Sequence, residues 1–385
     1  MKDDVNIKKA IEEEQSAEDR YNQLTLDRII ARFPERYNFT DLDPNKRKFA
    51  ERVASLNLLH YPSADYKRAR GIFNSFVAKH GNRDQLLAIY GASQSGKTHI
   101  LTRLREHKDL EATGAGGEGE VRPLLMVNAN APCTLKGLGW DILCTIKDIA
   151  LPEPSKRHEE PDYRNTTAPS IWREVRSLLF AYRTRVLIID EIHNVLVKKA
   201  KGEIKDTAMA VKSLIVNEQW PVIVVISGTP AGTKKLIDSH LELRKRAKRV
   251  EILPIGKGDP EMAKLLEELE KQLNFPKASG LSEGDMPLRF YNATTGHRGK
   301  VARFVREAAE YALEFGNPSI SNLTLARMWR EGTGDRDRET NPFLQKNPAN
   351  AAPSTNSPFP DDDDEDEDAK SGLRGNGRHR PSRRN

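Results

Sequence analysis

The chain has 385 residues, 37% of them apolar and 31% charged, which describes a globular core with ample polar flanking sequence and length for about two folded units. No apolar run approaches bilayer length, the amino terminus is charged without a signal-like segment, and Cys133 and Cys144 form no CxxC, so a membrane protein, a disulfide framework and a zinc site are all disfavoured and a cytoplasmic location is expected. The net charge of +6 is segregated: residues 361–368 are all acidic and 361–385 carry six basic residues, leaving +8 on residues 1–360 and favouring a polyanionic partner.

Residues 1–45 form a polar arm, charged over 8–19 and with a short apolar stripe over 24–33, read as a helical extension, a docking arm or a frayed terminus. Residues 44–59 and 64–77 show helical spacing, interrupted by His60-Tyr61-Pro62. Next comes a buried strand, Leu86-Leu87-Ala88-Ile89-Tyr90, and then Gly91-Ala92-Ser93-Gln94-Ser95-Gly96-Lys97-Thr98, with His99 opening an amphipathic helix. A GxxxxGKT loop between strand and helix is a phosphate cradle. Its glycines let backbone N–H groups face an anion, Lys97 reaches the outer phosphates, and the Thr98 hydroxyl holds Mg²⁺. A nucleotide there gives Tyr61 and Pro62 a possible use as apolar cover for the base, against plain packing.

A Gly-rich connection over 113–120 leads to a strand at 124–127, a helix at 135–149, a Pro-rich polar loop at 151–168 and an amphipathic helix at 170–182. Arg185-Val186-Leu187-Ile188-Ile189-Asp190-Glu191 is a central parallel strand ending in two carboxylates. Asp190 is expected to hold Mg²⁺ directly or through water, and Glu191 to orient or deprotonate the attacking water. Lys198, Lys199, Lys201 and Lys205 then form a basic loop. The strand at 222–226 ends in Ser227-Gly228-Thr229-Pro230, where Ser227 or Thr229 lies beside the phosphate loop to sense the γ-phosphate.

Residues 241–249 hold Arg244, Lys245, Arg246, Lys248 and Arg249; one arginine, assigned to Arg246, is expected to act on a neighbouring subunit's nucleotide. From Pro260 the pattern is helical, at 262–273, 287–294, 301–315 and 323–329, with Gly296-His297-Arg298-Gly299-Lys300 placing Arg298 or Lys300 to meet phosphate. The expected organisation is an α/β sandwich with a parallel sheet over 46–255, a helical lid over 256–332 and a disordered acidic then basic tail over 333–385.

These residues together resemble the AAA+ ATPases, and among them the TniB/TnsC-like transposition ATPases. The signs are Tyr61-Pro62 ahead of the phosphate loop, Asp190-Glu191-Ile192-His193-Asn194-Val195-Leu196, and Gly228-Thr229-Pro230. The resemblance covers about residues 50–330. It implies an ATP- and Mg²⁺-dependent regulator that assembles as a homo-oligomeric ring or filament on double-stranded DNA, marks an insertion site and recruits or activates a transposase, with room for a target-selection protein as a further partner. By analogy Lys136 and Lys147, or the Lys198 and Lys199 region, grip DNA. The basic cluster around Arg246 lacks the Arg-Phe pair of many members, and the charged tail is unlike a minimal member. The alternatives are a replication initiator or helicase loader, and a non-enzymatic nucleotide-bound scaffold on DNA.

Overall fold

A computed structural model describes residues 44–80, 85–113, 120–131, 133–147, 161–197, 201–335 and 337–349. Lys198 and Lys199, the arm before residue 44 and the acidic and basic tail lie outside the described residues. The described residues fall into two compact units: Pro62–Leu253, and Pro44–Tyr61 together with Pro254–Ala349.

Chain order begins with α1 (Pro44–Ser55), which belongs to the second unit, and passes through a 3₁₀ turn at Leu56–Leu58 to α2 (Ala64–Ala78). Then come β1 (Leu86–Gly91), α3 (Lys97–Arg105), β2 (Leu124–Asn128), α4 (Leu135–Ile146), α5 (Pro161–Asn165), α6 (Ala168–Ala181) and β3 (Val186–Asp190). The first unit continues with α7 (Lys201–Ile215), β4 (Ile223–Gly228), α8 (Pro230–Asp238), α9 (Leu241–Arg246) and β5 (Ala247–Ile252). The second unit adds α10 (Pro260–Leu273), α11 (Met286–Thr294), α12 (Arg298–Glu314) and α13 (Asn322–Thr333).

All five strands are parallel, in the order β2-β3-β4-β1-β5. The central three are buried along their whole length, which is why they read as unbroken apolar runs. Alternation sorts their side chains onto two faces. Leu86, Ala88, Leu187, Ile189, Val224 and Ile226 pack among α4, α6 and α7, whereas Leu87, Ile89, Ile188 and Val225 pack against α2 and α3. Each fully buried side chain of this kind contributes roughly 1.5–3 kcal/mol.

Two elements differ from the sequence reading. The basic segment at 241–249 divides into the short helix α9 and the edge strand β5, in which charged Lys248, Arg249 and Glu251 interrupt the apolar pattern and β1 is the one pairing partner among the described residues. Lys201 and Lys205, expected in a basic loop, lie instead in the first turns of helix α7, because Ile204, Ala208, Val211 and Ile215 recur at helical spacing on a buried face.

The helical unit is larger than expected at both ends. Leu56 and Leu59 pack with Leu266, Phe290, Val301 and Trp329, so residues 44–61 join this unit rather than the α/β one. Residues 337–349, expected as the start of the tail, pack here too. Phe343 is buried, stacked on Phe304 at 5.3 Å and edge-on to Phe290 at 5.3 Å. Asn341 Nδ2 donates to Ala326 O at 2.8 Å, and Arg289 Nη1 donates to Pro342 O at 2.8 Å.

Candidate functional site

The loop leaving β1 is shaped by close approach. A Cβ on Gly91 would stand 2.7 Å from Ser95 Oγ and 2.8 Å from Ile252 O, so no larger residue fits there. Gln94 at φ +55° and Gly96 at φ +100° are both left-handed, a backbone form that turns successive amides into one concavity. Lys97 is buried, with Nζ donating to Gly91 O at 3.0 Å and Ala92 O at 2.9 Å. Its charge is thereby held at the loop itself. Ser93 and Gln94 lie on the loop surface and are partly exposed, as are Ala92 and Gly96.

Parallel pairing brings the other groups level with this loop. Ser227 is in register with Ile89, and Ile226 with Ile189, so Ser227 and Asp190 stand at the carboxyl ends of neighbouring strands. Thr98 Oγ1 donates to Asp190 Oδ2 at 2.7 Å, joining residues 92 positions apart. The Glu191 amide donates to Asp190 Oδ1 at 3.0 Å. Asp190 is only 3% exposed, and these neutral donors are the hydrogen-bond partners found for its carboxylate among the described residues.

A buried carboxylate normally sits beside a cation. Hard oxygen donors from a threonine and an aspartate suit Mg²⁺, and the left-handed loop with its lysine suits a polyphosphate, so the residues present fit both groups. The hydroxyls of Ser95 and Ser227 add two buried polar atoms without a hydrogen-bond partner at the same strand ends among the described residues.

Glu191 adopts φ +53°, a strained form for a glutamate, with Oε2 3.1 Å from His193 Nδ1. The Thr229 hydroxyl caps α8, accepting from Gly232 N at 3.4 Å, so a capping role already occupies it and Ser227 is the freer hydroxyl. His99 is pushed down to about 4 by burial and by the nearby Arg103, so it is neutral at neutral pH.

Other expected residues lie elsewhere or are already paired. Arg246 Nη1 is 3.5 Å from Glu242 Oε2 and donates to Glu242 O at 3.2 Å, which ties it to its own helix; Arg244 beside it is exposed. Tyr61 and Arg298 belong to the helical unit. There Arg298 Nη2 donates to both Glu261 oxygens at 2.8 Å, and burial, then Glu261, raises the Tyr61 phenol. Lys147 Nζ meets Glu174 Oε1 at 2.7 Å, and Lys136 Nζ sits 4.2 Å above the Tyr163 ring. Glu261 was not singled out from sequence, since folding brings it to Arg298, 37 positions away, and His193 was read only as part of the run from Asp190 to Leu196.

A phosphate-loop strand beside a strand ending in Asp-Glu, with one strand between them and the order 2-3-4-1-5, defines a P-loop fold of the AAA+ class, followed by a helical unit. The family described as Bacterial TniB protein matches residues 54–252, over half of the chain, and the chain belongs to that family. No curated protein matches it. Similar solved structures include the Aeropyrum pernix ORC2 protein in its ADPNP-ADP complexes, at 13% identity and TM-score 0.47, covering 71% of this chain and 68% of that one. Cdc6p from Pyrobaculum aerophilum is similar at 14% identity and TM-score 0.49, with 71% and 67% covered. The Walker-type ATPase PABY2304 of Pyrococcus abyssi is similar at 13% identity and TM-score 0.45, with 70% and 72% covered.

Proposed function

We propose that this protein is an ATP-dependent regulator of transposition that oligomerises on duplex DNA, selects the insertion site and recruits or activates a transposase, with ATP hydrolysis driving disassembly. The observation that carries the nucleotide part of this reading is the buried Asp190 carboxylate, joined to Thr98 at 2.7 Å and, among the described residues, hydrogen-bonded by neutral donors. Lys97 and the loop amides from Gly91 to Thr98 bind the phosphates, and Thr98 with Asp190 holds Mg²⁺. The metal, when bound, neutralises phosphate charge. Glu191 orients or deprotonates water, and Ser227 or Thr229 reads the terminal phosphate.

Membership of the TniB family supports the transposition part. The arginine given to a neighbouring subunit is Arg246, which must first leave Glu242, or the exposed Arg244 on the same helix. Duplex DNA is held by Lys136, Lys147, Lys198 and Lys199, and a phosphate at Lys147 has to displace Glu174. Tyr61 covers the base and Arg298 touches phosphate once it leaves Glu261.

Electron microscopy of the purified full chain with duplex DNA, in ATP and in ADP, tests this reading. Rings or filaments on DNA in ATP that disperse in ADP are expected. Absence of any ATP-dependent assembly, or copurification with a helicase in place of a transposase, would overturn it.

A further inference from the structure

His193 is placed to connect the two strand ends that flank the site. It lies in the 3₁₀ turn Ile192–Val195 that follows β3, with Nδ1 3.1 Å from Glu191 Oε2 and 3.4 Å from the backbone N of Thr229, the first residue past β4. The imidazole sits in a slot walled by glycines. A Cβ on Gly232 would stand 2.5 Å from His193 Cβ, and one on Gly228 would stand 3.1 Å from His193 Nδ1. Neither glycine has positive φ, so backbone conformation does not demand them. What they permit is the close approach of the β4–α8 connection to the histidine.

The two contacts at Nδ1 exclude each other. Toward a carboxylate the nitrogen must carry a proton and donate, whereas toward the Thr229 amide it must lack one and accept. We infer that His193 is a positioning residue that holds the Glu191 carboxylate back until the Thr229 amide takes Nδ1, so that the state of the β4 tip controls when Glu191 can address water. The inference rests on the reading of Glu191 as the water-activating group. It gives the Gly228-Thr229-Pro230-Ala231-Gly232 segment a task besides capping α8: a shift of this segment toward the imidazole frees the glutamate, and a shift away recaptures it.

The test uses the full chain with His193→Ala and His193→Asn. An asparagine side chain reaches close to the Nδ1 position with an end that can donate or accept. His193→Ala is expected to bind a fluorescent ATP analogue within about twofold of the wild type and to keep its KM. Its DNA-free kcat should rise about tenfold, the scale of one hydrogen bond to a charged group. His193→Asn should return kcat to within about twofold of the wild type. An unchanged or lowered kcat in His193→Ala, or a rise that asparagine does not reverse, overturns the inference.

A second measurement does not depend on turnover. In ¹⁵N-histidine spectra the His193 signals are identified, among nine histidines, by their loss in His193→Asn. Nδ1 should appear protonated in the nucleotide-free wild type and move toward the unprotonated form in Glu191→Ala. Identical Nδ1 signals in those two proteins would sink the idea. A wild type that binds ATP without hydrolysing it would defeat the catalytic role of Glu191, while the spectra would still decide whether His193 grips that carboxylate.

Discussion

The buried Asp190 of the α/β unit and the carboxylates Glu261 and Asp285 of the helical unit are satisfied in different ways. At the mouth of the sheet, Asp190 is buried against a hydroxyl and an amide, so its charge has no cationic side chain bonded to it among the described residues. In the helical unit, Glu261 holds Arg298, Asp285 holds Arg289 through two bonds of 2.7 and 2.9 Å, and Glu270 accepts from the amides of Ser279, Gly280 and Leu281. The first arrangement is suited to a ligand cation, and the second closes the chain on itself. A polar group near the sheet should therefore matter for chemistry, and one in the helical unit for stability.

The sharpest way to break this contrast is at Phe343. Its buried ring packs against both Phe290 and Phe304, so Phe343→Ala should cost about 3–5 kcal/mol in chemical denaturation. A chain ending at residue 332 should lose at least as much, and one ending at 349 nearly nothing. Equal stability of the two truncations would mean that residues 337–349 are not part of the core.

On the other side, Glu191→Gln should leave ATP affinity within about twofold and lower kcat by roughly 10²–10³-fold, because only the water-activating carboxylate is lost. Lys97→Ala should weaken ATP binding itself, measured by calorimetry. Loss of affinity in both variants alike would remove the distinction drawn between these residues. Neither substitution should move the denaturation midpoint as far as Phe343→Ala does.

The contrast also explains what could be read from the linear chain. Strands β1, β3 and β4 and the phosphate loop were legible because a strand buried on both faces needs a continuous apolar run, and a phosphate cradle needs glycines and a lysine at set spacing, while the edge strand β2 was legible from its uncharged run Leu124-Leu125-Met126-Val127. β5 was hidden because an edge strand carries charges between its apolar positions, as Lys248, Arg249 and Glu251 do. Residues 337–349 have the polar, Asn- and Pro-containing composition of a tail. Their folding back shows in the burial of Asn341 and Phe343 and in the bonds from Arg289 to Pro342 O and from Asn341 to Ala326 O, none of which composition encodes. The pairing of Arg298 with Glu261, 37 positions away, and the glycine slot around His193 are products of tertiary approach, which no local pattern encodes.

A smaller effect is expected at Gly296, which opens the turn before α12 with φ +80°. A Cβ there would lie 2.0 Å from Ile255 O, and the Gly296 carbonyl accepts from Ile255 N at 2.9 Å. Gly296→Ala combines a left-handed alanine with a backbone clash, so about 1–3 kcal/mol of destabilisation is expected by thermal melting. A substitution without effect would show that the helical unit is less tightly closed than its hydrogen bonds imply.

The mildest test separates the units by acidity. Burial, and then Arg103, hold His99 down at about 4, against the ordinary 6.5. The folded chain therefore keeps His99 neutral where the unfolded chain takes up a proton, and the stability this represents is present above pH 6.5 and lost as pH falls toward about 4. His80 is lowered in the same direction by burial and Arg185, so both histidines weaken the α/β unit within this window. In the helical unit the Arg289 bond holds the Asp285 carboxyl below 3.8, and that contribution persists until the pH drops beneath it. Trp140, Trp172 and Trp220 lie in the α/β unit and Trp329 in the helical one, so a Trp329→Phe background reports on the α/β unit alone. In that background His99→Gln should flatten the fall in stability between pH 6.5 and 4 by up to one proton's worth, about 1.4 kcal/mol per pH unit, while His80 keeps the slope above zero. An unaltered slope would mean that the histidine after Thr98 titrates normally, and that the phosphate loop is no more sheltered from water than the surface around it.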